Sequence, residues 1–341
     1  MKNHFLPFII LFFFAIKSFA QNDQHKKFAF AFYNLENFYD TINDPKTNDD
    51  EFTPNGANAY TPAVFIKKVE NLATVISQIG TDQVTDGISF LGVAEIENEF
   101  VLKTLCAHPL LSKLNLKVVQ FDGPDERGVD CGFLYNPAKF KLLGAKSLTV
   151  PIESGDRPTR DVLYVIGKLD GDIIHIFVNH WPSRRGGEAI TREKRKLAAS
   201  VSKKVIDSLM AVDPLTKVVV MGDMNDDPIN ASITEVLNAK SKIKEVRPGG
   251  LFNPWYDYYR KGLGTMAYND AWSLFDQIII SYGFFAKENQ GLKYIGSQVF
   301  NKSFMVEKFG HYRGYPKRSY SNGVWNDGYS DHFPTVIYLS R

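Results

Sequence analysis

The sequence predicts an α/β protein in which two mixed β-sheets pack face to face with helices outside, a sandwich of four layers. Three observations predict it. Short apolar or alternating runs outnumber helical stripes along the chain. Those runs arrive both as hairpins and as crossovers, whereas a purely parallel doubly wound sheet would alternate more regularly. No repeat, low-complexity tract or long Pro/Gly/Ser linker divides residues 21–341, so they are read as one catalytic domain.

The chain opens on a separable segment. Lys2 precedes an apolar run from Phe5 to Ile16, and Ser18-Phe19-Ala20 offers the small residues a signal peptidase needs. The run is too short for the roughly 30 Å core of a bilayer, and no cysteine stands at the cut site to take a lipid. Residues 1–20 are therefore expected to be a cleaved signal peptide, with a secreted or periplasmic product, no stable membrane anchor and a monomeric state.

The elements follow in order. "KFAFAFYNLENFY" alternates aromatic and small residues, as a strand between two layers would. Residues 62–79 place Phe65, Val69, Leu72, Ile76 and Ile79 on one helical stripe behind Pro62. "GISFLGVAEIEN" is a strand, a short helix follows, and "LKVVQFDG" and "GVDCGFLYN" are strands. "RDVLYVIGKLDGDIIHIFVNHW" reads as a hairpin turning at Asp170-Gly171-Asp172. Residues 188–210 form a long basic helix, "KVVVMGDMND" a buried strand, and "DQIIIS" and "TVIYLS" two more.

Charge and cysteine content narrow the function. Removing residues 1–20 takes away Lys2 and Lys17 and no acids, so 40 basic residues become 38, against 38 acidic. A neutral protein has no global field for polyanions, and any phosphate preference must come from local clusters. Cys106 and Cys131 are read as buried free thiols, although export would permit a bridge. Neither has a nearby histidine arrangement that would make it a nucleophile.

Polar knots at strand ends carry the chemistry. They are Asn34-Leu35-Glu36, Glu95-Ile96-Glu97, Asn179-His180-Trp181, Asp223-Met224-Asn225, Asp276-Gln277 and Asp331-His332. One such knot is ordinary turn chemistry; six are not. Three contain i, i+2 pairs, a spacing that puts both side chains of an extended strand on one face. Asp331 and His332, as neighbours, would point to opposite faces, so Asp331 is not expected to orient the histidine. Paired oxygen ligands without clustered thiols or histidines suit a hard divalent cation. Zinc fits poorly, because there is no HExxH and the seven histidines are scattered. Carboxylates, amides and two histidines without a serine or cysteine nucleophile point to metal-assisted attack by water on a phosphate ester. Arg127 in "DERGVD", and Arg184 and Arg185 before Gly186-Gly187, supply donors for the charge that builds on phosphoryl oxygens.

"YNLEN", "AEIEN", "VNHW", "GDMND", "FDQIIIS" and "GYSDHF", in this order, resemble the endonuclease/exonuclease/phosphatase superfamily, whose fold is that of deoxyribonuclease I. The resemblance spans residues 28–340 and includes secreted bacterial members. It implies that Asn34 and Glu95 hold a catalytic Mg²⁺ (Mn²⁺ being a substitute), with Glu36 contributing and Asp331 facing the metal side. It implies that Asp223 and Asn225 sit at the attacking water and the phosphate, that His180 and His332 flank the phosphate, and that Asp276 orients His332. Arg127, Asn179, Arg184 and Arg185 are the implied phosphate contacts. The expected activity is hydrolysis of nucleic acid, DNA or RNA, by an endonuclease. The alternatives are a phosphomonoesterase, a sphingomyelinase-like lipid-headgroup phosphodiesterase, and a binding domain without activity. The basic run Arg192–Lys196 would favour nucleic acid, but reads equally as a solvated charged face; the aromatic-basic run "HYRGYPKRSY", 311–320, offers rings that could stack on bases, but reads rather as an ordinary surface loop. An exposed apolar loop at "LFNPWYDYY", 251–259, would favour lipid.

Overall fold

Alternation in the first strand decides the layering. In the computed structural model, which describes residues 26–152 and 156–341, β1 (Lys27–Phe38) sends Phe28, Phe30 and Phe32 into one apolar core and Ala29, Ala31 and Tyr33 into another. Both faces of the strand are therefore covered, as its aromatic/small alternation requires. The expected signal peptide, residues 1–20, lies outside the described residues.

Helix α1 (Pro62–Ile76) starts where Thr61 accepts the Val64 N–H and Pro62 occupies the first turn, where its missing N–H costs nothing. It stops short of the expected residue 79, and Ile79 stays buried in the turn beyond it. β2 (Phe90–Ile96), α2 (Glu99–Cys106), β3 (Lys117–Gln120) and β4 (Asp130–Tyr135) follow. β5 (Phe140–Leu148) leads to the hairpin of β6 (Val162–Leu169) and β7 (Asp172–His180). Its turn residues Asp170 and Gly171 both have positive φ, as a tight two-residue hairpin turn demands. Helix α3 (Glu188–Val212) crosses to β8 (Lys217–Asp223). Then come the short β9 (Ala239–Lys240), β10 (Leu251–Phe252), α4 (Tyr256–Arg260), β11 (Met266–Tyr268) and β12 (Ala271–Ser273). β13 (Asp276–Ser281), β14 (Lys293–Val299), β15 (Tyr320–Ser321), β16 (Val324–Trp325) and β17 (Thr335–Ser340) complete the chain order.

One sheet runs β14-β17-β1-β2-β4-β3 and the other β5-β6-β7-β8-β13-β10-β9. Three apolar cores separate four layers: α1 and α2 against the first sheet, sheet against sheet, and the second sheet against α3. The sheets approach closely, and a Cβ on Gly92 of β2 would sit 2.5 Å from the Met221 sulfur of β8. β1 and β2 are parallel, as are β7 and β8. β17 is antiparallel to β1, and β13 to β8. This pairing brings the ends of β1, β2, β7 and β8 and the beginnings of β13 and β17 to one edge of the sandwich.

Two strands that the sequence pattern passed over, β5 and β14, are edge strands with mixed burial, where one-sided packing leaves no clean alternation. The 251–259 stretch is not an exposed apolar loop: Leu251, Phe252 and Trp255 are buried, and the Trp255 indole donates to the Ile278 carbonyl at 3.0 Å. Cys106 and Cys131 are free thiols, and burial pushes Cys106 up to about 12. Among the described residues no helix is long and apolar enough to cross a membrane.

Candidate active site

Left-handed bends, not simple alternation, aim the polar side chains. Glu36 and Asn37 at the end of β1, Glu95 near the end of β2 and Asn225 after β8 all have φ between 47° and 59°. Pairing shifts register at the first two places. Non-glycine residues in this region cost on the order of 1 kcal/mol or more each, so the edge is held in shape by the contacts around it. The bends also correct the expectation that each i, i+2 pair shares a face.

Glu36 turns away from the cleft. Its Oε2 accepts the Ser319 N–H at 2.6 Å and its Oε1 lies 3.4 Å from Arg318 Nε, while the buried Lys68 ammonium donates to the Glu36 carbonyl and, at 2.9 Å, to Ser319 Oγ. Burial, with Asp331 nearby, pushes Glu36 up to about 7 against the pull of Lys68 and Arg318. It braces the edge and does not line the cleft. Asn34 is fully buried: its Oδ1 accepts the Glu36 N–H at 2.9 Å and its amide donates to Asp223 Oδ2 at 3.1 Å.

Glu97 also leaves the cleft and accepts the Asp40 N–H at 2.6 Å. Burial, then Asp40, Asp49 and Asp44, push it up to about 8. A carboxyl raised on folding binds its proton more tightly in the native state, so stability falls as pH rises from the ordinary glutamate value through about 8. Glu97→Gln should therefore raise the melting temperature at pH 8 and leave it nearly unchanged at pH 4.5. An equal gain at both pH values would show that charge burial is not the cause.

The remaining groups meet in a cleft of about 920 Å³, lined by Glu95, His180, Asp223, Asn225, Asp331 and His332. His332 Nδ1 is 2.6 Å from Asp276 Oδ2, 56 residues earlier. Its Nε2 is 3.9 Å from Asp223 Oδ2, and His180 Nε2 is 3.7 Å from that same oxygen and from Glu95 Oε1. Burial alone would lower His332, but Asp276, Asp223, the hydrogen bond to Asp276 and Asp331 together hold it well above the ordinary histidine value. His180 moves oppositely: burial, with Arg160, Arg127 and His332, keeps it neutral. Burial pushes Asp223 up to about 6 against the pull of His332, with Asp276 adding to the rise. Glu95 is buried yet lowered, because Arg127, His332, the Asn37 N–H and Arg160 outweigh burial.

Asp331 departs from its expected geometry. It lies in a bend before β17, not on the strand, so alternation does not apply. Its Oδ1 is 3.9 Å from His332 Nε2 and its Oδ2 accepts from Arg318 at 2.9 Å.

The basic groups sort into two sets. Arg127 and Arg185 line the cleft. Arg184 does not: it donates to the Asn225 carbonyl, Asp226, Asp227 and Asn230 and stacks on Phe275. Asn179 is also structural, bonded to the Phe177 and Met221 carbonyls, Trp181 and Ser202. Both were expected to contact phosphate, and both are consumed by the fold. In α3, Arg192 pairs with Glu188, Lys196 with Glu193 and the buried Arg195 with Asp226, while Lys194 lines the cleft and pairs there with Asp156 at 2.6 Å. Arg160, absent from the sequence reading, lines the cleft from just before β6, held by Asp125 at 3.1 Å and the Trp181 carbonyl at 2.6 Å. The rule that found Asp276 would have found it, since Arg160 too precedes a strand antiparallel to one that ends in the site.

The donor set fits a hard divalent cation: the carboxylates of Glu95, Asp223 and Asp331 share the cleft, with no thiol there. Asp223, Asp276 and His332 form a tighter buried group, with one ligand atom of each within 4.8 Å of the others. Asp276 Oδ2 and His332 Nδ1 bond each other at 2.6 Å, while Asp276 Oδ1 is buried without a hydrogen-bond partner.

Comparisons agree with the architecture. The model of the Endonuclease/Exonuclease/phosphatase family matches residues 29–341. No curated protein matches the sequence. Among solved structures, humanized D. rerio TDP2 aligns with a TM-score of 0.56 at 13% identity, covering 93% of this chain and 100% of that one. D. rerio TDP2 complexed with a single-strand DNA product gives 0.55 at 13% identity, covering 92% and 99%. A Bacteroides thetaiotaomicron mannosyl-6-phosphatase gives 0.54 at 16% identity, covering 92% and 99%. Likeness at these identities establishes a shared fold.

Proposed function

The chain belongs to the endonuclease/exonuclease/phosphatase family of phosphoesterase hydrolases, and from that premise we propose that it is a Mg²⁺-dependent phosphodiesterase that cleaves nucleic acid. The observation that carries the reading is the convergence of Glu95, Asp223 and the Asp276-held His332 in one cleft that also presents Arg127, Arg160 and Arg185.

Each residue has a distinct task. Arg127, Arg160 and Arg185 hold the nonbridging phosphate oxygens. Asp223, ionised above about pH 6, takes a proton from the attacking water, and Asn225 beside it orients that water. His332, kept as imidazolium by Asp276, gives its proton to the leaving oxygen as the P–O bond breaks. Neutral His180, its Nε2 3.7 Å from both Asp223 Oδ2 and Glu95 Oε1, lies across Asp223 from His332 and adds no positive charge there. A divalent cation held by Glu95 and Asp331 would supply Lewis-acid polarisation of a phosphoryl oxygen.

Incubating the protein with plasmid and Mg²⁺, and separately with sphingomyelin and a phosphate monoester, tests the proposal. Nicked plasmid without the other two products is the expected result. No plasmid cleavage with any divalent ion ends the nuclease reading, and turnover of the monoester alone would make the protein a phosphomonoesterase. The apolar N-terminal segment supports export, for which the expected observation is a mature chain beginning at Gln21.

A further inference from the structure

An aromatic ridge begins at the residue after His332. Phe333, the next residue, is buried and lies nearly parallel to the Trp272 ring, with centroids 6.1 Å apart and planes 16° apart. Trp272 meets Tyr315 at 6.0 Å, and Tyr315 meets Tyr312 at 5.6 Å. Trp272 belongs to the β11–β12 hairpin, whose Met266 lines the cleft. The hairpin tip is fastened to the 307–315 loop, since Tyr315 Oη donates to Asp270 Oδ1 at 2.8 Å and accepts the Asp270 N–H at 2.7 Å.

The ridge is supported on one side and open on the other. Phe333 is 2% exposed, whereas Trp272 is 37% and Tyr312 56% exposed. The phosphodiesterase chemistry leaves these rings without a task, and core packing does not explain their open faces. Lys308 and Arg313 are exposed on the same loop, so cations accompany the rings. Open aromatic faces flanked by cations, leading from a phosphate site, match the way single-stranded nucleic acid is held: charge tracks the backbone and rings stack on bases.

We propose that Trp272 and Tyr312, supported by Phe333 and Tyr315, form a nucleobase-stacking subsite that receives the base next to the scissile phosphate. The inference rests on the nucleic-acid reading of the cleft and gives it a specificity element. It requires nucleotides with bases to be preferred over equally charged strands without them.

The test compares a single-stranded oligothymidylate with a tetrahydrofuran abasic oligomer of equal length, using the intact protein with Mg²⁺. The expected preference for the base-bearing strand is about tenfold in kcat/KM, the order that one stacked base supplies. Trp272→Ala should collapse that ratio toward one, chiefly by raising KM for the base-bearing strand. Tyr312→Ala should weaken it in part, and Trp272→Phe, which keeps a ring, should retain most of it. A wild-type ratio near one overturns the subsite and leaves the nuclease reading intact. So does an equal fall on both strands in Trp272→Ala, which would show a structural role. A wild-type protein that nicks plasmid but cleaves neither strand overturns the subsite alone, and one that cleaves none of the three overturns both.

Discussion

Replacing His332 with glutamine should lower kcat by about a thousandfold, within the 10²–10⁴ range of a positioned general acid. Its neighbours keep this buried imidazole charged: Asp276 at 2.6 Å, then Asp223 and Asp331. Glutamine retains a donor but no transferable proton, so the residual rate measures what the arginines and the metal accomplish without it. The pH profile separates this role from simple packing. In the wild type, activity should rise through about pH 6 as Asp223 ionises and persist well above the ordinary histidine value, because His332 stays charged there. Asp276→Asn removes the strongest influence favouring imidazolium, so it should move the alkaline limb to lower pH and lower kcat. The Mg²⁺ concentration for half-maximal activity should stay nearly constant. A collapse of Mg²⁺ binding in Asp276→Asn would instead place that carboxylate on the ion and remove it from its positioning role.

The second large effect is expected at Glu95. This carboxylate is buried, yet Arg127, His332, the Asn37 N–H and Arg160 lower it below the ordinary glutamate value, so it is ionised throughout the neutral range. Glu95→Gln keeps the shape and removes the charge. Loss of an outer partner that merely orients a ligand costs roughly 10–100-fold in metal affinity, and loss of the ligand itself should cost at least as much. Calorimetric titration with Mg²⁺ checks this without any substrate. Unchanged binding in Glu95→Gln, with binding lost in Asp223→Asn, would move the ion toward the Asp223, Asp276 and His332 group.

The layering and the gathering of polar strand ends were legible because both follow from strand physics. Phe28, Phe30 and Phe32 alternate with Ala29, Ala31 and Tyr33, and the structure divides them between two cores. The joining of Asp276 to His332 was implied by the resemblance of the motifs, and the structure places the two side chains 2.6 Å apart. What stayed hidden depends on where a side chain points once a strand stops being regular. Glu36 and Glu97 follow left-handed bends that a period-two pattern does not contain. Asn179 and Arg184 stand beside cleft residues in sequence, but the fold's own carbonyls and carboxylates claim their hydrogen bonds first. Arg160 was missed although the hairpin that places it was read: "TRDVLYV" looks like an ordinary strand entry, and the pairing with β7 sets that entry beside the His180 end of the hairpin. In the run 311–320, Arg318 and Ser319 brace Glu36, while Tyr312 and Tyr315 form the ridge.

The place of β17 has a consequence for biosynthesis. This strand lies between β14 and β1, and His332 stands just before it. A ribosome makes it after every strand it joins, so a nascent chain exposes an unfilled slot in the first sheet and lacks the histidine as well. Under the proposed activity, hydrolytic competence would therefore arrive with the last segment of the site to be translated, and a partly synthesised copy would lack it.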